Sequence, residues 1–170
     1  SSASDVAKVL KKDQVLTGRV LKLINSPYYG IPAPVTDVQR ALAFLGFNTI
    51  AQLVLSISVF SLFEGSESIS FSLLQFWRHA LCCAVGAEIL AKETQYARPE
   101  EAFTCGLLHD IGKLALYKID RDTFLKIHTV AETKQISFSL AESDFNIPKH
   151  TMLGANVAKK WRLPVTIQAS

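Results

Sequence analysis

Gly106-Leu107-Leu108-His109-Asp110-Ile111-Gly112-Lys113 sets an imidazole and a carboxylate side by side at a helix end. Leu107, Leu108 and Ile111 around them seat that turn in a core. Adjacent helical residues point about 100° apart, so His109 and Asp110 meet on one ion only if it lies between their directions. A further histidine from a neighbouring helix would complete a nitrogen and oxygen set suited to zinc, iron or manganese. His79 is placed for that, because its segment comes immediately before and the two helices read as antiparallel neighbours. Taken singly, a histidine on an amphipathic helix is more often a hydrogen-bonded packing residue than a ligand. The constellation says more than its parts.

Outward from this stretch, almost every apolar segment has helical spacing. Leu16, Val20, Leu23 and Ile24 share a face behind a cap at Asp13, and Asn25-Ser26-Pro27 stops that helix. Thr36-Asp37-Val38-Gln39 reads as a capping box opening a helix that Gly46 ends. Asn48 caps the next, with Ile50, Leu53, Val54 and Ile57 as its stripe. After the loop Gly65-Ser66-Glu67-Ser68, a long helix runs from about Ser70 to Thr94 on Leu74, Trp77, Leu81, Ala84 and Val85. Pro99-Glu100-Glu101 opens another, with proline first and acids near the positive end. Two more fall around Asp122 to Ala131 and Ser139 to Asn146. The last starts at Pro148 and carries Leu153, Val157 and Trp161 until Pro164. No strand pair or Asn-Gly hairpin is visible, so the expected fold is all-α, in sub-blocks 1–64 and 70–170.

The composition bounds the function. The chain has 170 residues, 49% of them hydrophobic and 19% charged, which suits one domain with a sizeable core. Eighteen Lys and Arg against fifteen Asp and Glu leave +3, too little for a nucleic-acid footprint. The longest apolar stretch, Ile50 to Phe63, falls short of the roughly 20 residues of a membrane span. Ser1-Ser2-Ala3-Ser4-Asp5 shows no secretion signal. Cys82, Cys83 and Cys105 make no paired framework, which points to the cytoplasm. Cys82 and Cys83 read as inert packing, and Trp77 and Trp161 as anchors of helix contacts.

Gly106 to Lys113 is similar to the His-Asp signature of the HD superfamily of metal-dependent phosphohydrolases. Leu21-Lys22-Leu23-Ile24-Asn25-Ser26-Pro27-Tyr28-Tyr29-Gly30, with Val35, Ala41 and Leu45-Gly46, resembles the N-terminal half of the HDOD domain. Phe76-Trp77-Arg78-His79 does so ahead of the signature. Glu142, His150, Gly154-Ala155 and Trp161-Arg162-Leu163-Pro164 resemble the later block in order and spacing. The resemblance spans about residues 10 to 168.

The resemblance implies an all-helical bacterial signalling module, from a branch regarded as having lost full HD hydrolase chemistry. It also implies metal ligands at His79, His109 and Asp110, with His150 where the related HD-GYP phosphodiesterases have another histidine. Gln75 stands where those enzymes place an acid, and the closing carboxylate is not found. The set is therefore an incomplete site for zinc, iron or manganese, and no cofactor is expected. The expected function is a non-catalytic regulatory module that contacts other signalling proteins or domains, with no nucleic acid or membrane. The alternative is a metal-dependent phosphohydrolase or cyclic-dinucleotide phosphodiesterase in which Lys113 steadies the charge on phosphorus. Lys113 has a plainer reading, as a cation complementing the helix end at Gly112. Asn25, Ser26, Tyr28 and Tyr29 read as a helix stop or as a groove, and His128 belongs to no motif.

Overall fold

The computed structural model describes residues 8, 10, 12–63, 71–96, 98–163 and 165–168. The N-terminal stretch Ser1 to Asp5, the loop Gly65 to Ser68 and Pro164 lie outside them. Every element among the described residues is helical. The chain divides into two compact units, Ser1–Glu64 and Gly65–Ser170.

The first unit is built on α1 (Gln14–Ile24) and α2 (Val38–Ser61). Asp13 caps α1 by accepting from the Leu16 amide at 2.9 Å. Leu16, Val20 and Ile24 are buried, joined by Leu10, Val35, Val38, Ala41 and Ile50. Leu23, expected on that face, is 41% exposed. Asn25 ends the helix and clamps the returning chain. Its Nδ2 donates to the Val35 carbonyl at 2.9 Å, and its Oδ1 accepts from the Val35 amide at 2.7 Å. The Asn25 amide group is thus a structural tie. The expected capping box moves by one residue: Asp37, not Thr36, caps α2, accepting from the Arg40 amide at 2.8 Å.

Gly46 interrupts α2 with φ 76° and ψ 166°, a conformation essentially reserved for glycine. By length and composition α2 is apolar enough to cross a membrane. The break divides it into segments each shorter than the roughly 20 residues of a span.

The second unit contains α3 (Leu73–Glu93), α4 (Pro99–Leu108), α5 (Ile111–Ile119), α6 (Arg121–Lys134), α7 (Phe138–Ala141), α8 (His150–Lys160) and α9 (Val165–Gln168). Ser72 caps α3, whose buried face is Leu73, Phe76, Trp77, Ala80, Ala84 and Ala91. Leu74 and Val85, expected in the stripe, are exposed. The helix expected around 139–146 is a single turn of α7 followed by a 3-10 turn, Glu142–Asp144. The last long helix starts at His150, after Pro148, and the short α9 follows it. Trp77 is buried, whereas Trp161 is 38% exposed.

An aromatic cluster fixes one end of this unit. Phe124 meets Phe71, Tyr117 and Phe138 at centroid separations of 4.9, 5.1 and 5.3 Å. His128 belongs to it, 5.6 Å from Phe71.

Two glycines set the helix crossings. A Cβ on Gly106 would come within 2.7 Å of the Ala84 Cα and the Cys83 carbonyl, so α4 lies directly against α3. A Cβ on Gly112 would fall 1.8 Å from the His150 carbonyl oxygen, so α5 meets α8 backbone to backbone. We predict that Gly112→Ala destabilises the second unit by about 3 kcal/mol, because helix backbones cannot yield as a side chain would. Gly18→Ala, on the exposed face of α1 with nothing within 4 Å, gains about 0.5–1 kcal/mol. Thermal denaturation of the two variants checks both signs.

Candidate metal centre

His109 and Asp110 occupy the junction between α4 and α5, and His79 reaches them from α3. Gly106 against Ala84 and His109 against His79 pair increasing with decreasing numbers, so α3 and α4 run antiparallel. The His109 Nδ1–H donates to the Gly106 carbonyl at 2.8 Å. That bond leaves Nε2 as the ring nitrogen that faces His79 and Asp110, the orientation a ligating histidine has. His109 Nε2 lies 3.3 Å from His79 Nε2 and 3.3 Å from Asp110 Oδ2, and His79 Nε2 lies 3.9 Å from the same oxygen.

Lys113 donates to Asp110 Oδ2 at 2.7 Å and lies 5.3 Å from the centre of the Phe138 ring. It stands in the first turn of α5, the positive end of a helix. The reading of Lys113 as complementing a negative helix end is therefore corrected, because Gly112 lies in the first turn of a new helix that begins at Ile111. Burial pushes the Asp110 carboxyl up, but bonds from His109 and Lys113 and the lysine charge outweigh it, holding it well below the usual carboxylate range. The bond to Asp110 raises His109 against the opposing effect of burial, with the Gly106 carbonyl and the Asp110 charge adding to the rise.

His150 is placed differently. It is buried at the start of α8, and Glu142, also buried, takes both of its N–H groups. The His150 amide donates to Glu142 Oε2 at 3.0 Å, and Nδ1–H donates to the same carboxylate at 2.8 Å. His150 Nε2 then faces Asp110 Oδ1 at 3.9 Å, on the oxygen opposite to the one beside His79 and His109. The structure thus brings His79, His109 and Asp110 together and sets His150 behind the carboxylate. His128 is in the aromatic cluster.

Cys83 departs from its reading as inert packing. One turn after His79 on α3, its Sγ lies 3.7 Å from His79 Nε2. Sγ and both histidine nitrogens lie within 4.8 Å of one another. The spacing signals this contact, since residues i and i+4 share a helix face. Chemically the donors fit a divalent transition ion. His79 and His109 would hold it, with Asp110 beside them, and it would supply Lewis acidity there.

An all-α unit with a His–Asp pair at a helix junction, met by a histidine from the antiparallel helix, defines the class of HD-type helical domains. The chain belongs to the HDOD domain family, whose model matches residues 1–170. It is similar to an HDOD domain protein from Geobacter sulfurreducens with a TM-score of 0.85 at 28% identity, covering 99% of this chain and 56% of that one. A candidate phosphohydrolase from Shewanella amazonensis gives 0.81 at 30%, covering 99% and 59%. The MmoQ response regulator from Methylococcus capsulatus gives 0.53 at 28%, covering 98% and 66%. Among curated relatives, a Treponema pallidum protein is 24% identical over 162 residues, 95% of this chain. The chain spans 31% of that relative's length.

The Glu142–His150 pair generates a prediction of its own. Glu142→Ala leaves two buried donors unpaired and costs about 3 kcal/mol. Glu142→Gln keeps one acceptor and loses less. Melting temperatures of the two variants order them.

Proposed function

We propose that this chain is a bacterial regulatory module that acts in the cytoplasm through contacts with other signalling proteins or domains and does not itself catalyse a reaction. The observation that carries the non-catalytic reading is that the acids nearest the histidines are already engaged, Asp110 by Lys113 at 2.7 Å and Glu142 by His150 at 2.8 Å. Kinship with a response regulator supports a signalling role. Val85 and Ile89, exposed one turn apart on α3, offer apolar contact surface. A net charge of +3 supports the absence of a nucleic-acid partner.

The rival reading is a metal-dependent phosphohydrolase with Lys113 steadying the charge at phosphorus. It is favoured by the convergence of His79, His109 and Asp110 and by the likeness to the candidate phosphohydrolase. The chain and its Asp110→Ala variant, assayed on cyclic dinucleotides and nucleotides with excess manganese or iron, decide between the two. The expected result is no turnover by either. Turnover in the parent that disappears in the variant establishes the enzyme.

A further inference from the structure

His79 Nε2, His109 Nε2 and Asp110 Oδ2 converge on one region, and the Gly106 carbonyl orients the His109 ring. Cys83 adds a fourth donor from the same face of α3 as His79. Donors bound at about 2.0–2.3 Å in a zinc tetrahedron lie about 3.3–3.6 Å apart. The separations here are 3.3 Å between the two nitrogens and 3.7 Å from sulfur to His79, with all three atoms within 4.8 Å of one another.

We propose that Cys83 is a metal ligand, and that with His79 and His109 it makes a site for zinc rather than for manganese. The contact of Gly106 with the Cys83 carbonyl holds this turn of α3 against α4, so the sulfur is fixed relative to His109. Thiolate and imidazole favour zinc over the harder manganese ion, which prefers carboxylate and water. Two nitrogens and one sulfur supply three of the four positions zinc takes, and Asp110, held by Lys113, stands beside them. The inference rests on the convergence of the cluster and stands apart from the question of partners.

The test uses the chain with Cys82 and Cys105 replaced by serine, so that Cys83 is its one thiol. It is titrated with cobalt(II) and zinc(II) in the absence of oxygen. The expected result is one equivalent of cobalt and a near-ultraviolet sulfur-to-cobalt charge-transfer band. Cys83→Ser abolishes the band and weakens zinc at least tenfold in chelator competition, with the helical circular dichroism unchanged. His79→Ala, at an exposed position, also removes the band while leaving the thiol intact. Cobalt bound without the band overturns the role of Cys83 and leaves the histidines as a metal site. No metal bound by the parent overturns both.

Discussion

The second unit depends on two places where helix backbones touch because no Cβ stands between them. Gly106 lets α4 rest on the backbone of Ala84 and Cys83, and Gly112 lets α5 rest on the His150 carbonyl. These glycines flank His109 and Asp110 by three and two positions in the sequence. One crossing brings His109 beneath His79, and the other brings Asp110 toward His150. The site is thus a consequence of packing distance. A methyl group at either crossing would separate the donors by more than a metal–ligand bond tolerates.

Asp110 lies where the two crossings meet, and its electrostatics follow from that position. A carboxylate this buried would ordinarily be driven toward its neutral form. The bonds from His109 and from Lys113, the lysine adding a full charge at 2.7 Å, prevent it. Asp110 precedes α5 and Lys113 lies in its first turn, an i,i+3 spacing that sets the two side chains together.

The helical fold was legible in the sequence because its signals are local. Asp13, Pro99 and the apolar periodicities need only a few neighbouring residues to be read. His79, His109 and Asp110 were legible as well, through spacing and family resemblance. What escaped depended on partners distant in the chain. Gly112 looks like a helix terminator until α8 is seen against it. Leu74 and Val85 fit a helical stripe but fall on the wrong side of it, because the small residues Ala80 and Ala84 form the contact face. Cys83 sits in an apolar run, and only the fold shows its sulfur beside His79. Thr36 and Asp37 were both competent caps, and the choice between them turned on a single residue of phase.

The two histidine pairings divide structure from chemistry. His150 gives both its N–H groups to Glu142, and both residues are buried, so the pair pins the turn after α7 to the start of α8. Exchange with solvent there would require opening the core. His79 is 57% exposed at its side chain, and His109 takes its Nδ1 partner from its own helix backbone. No buried contact is broken when a ligand enters or leaves between them. The buried pair therefore carries stability, and the exposed cluster is free to vary its donors. A thiol at position 83 changes which ion is preferred without disturbing the crossings that hold the fold.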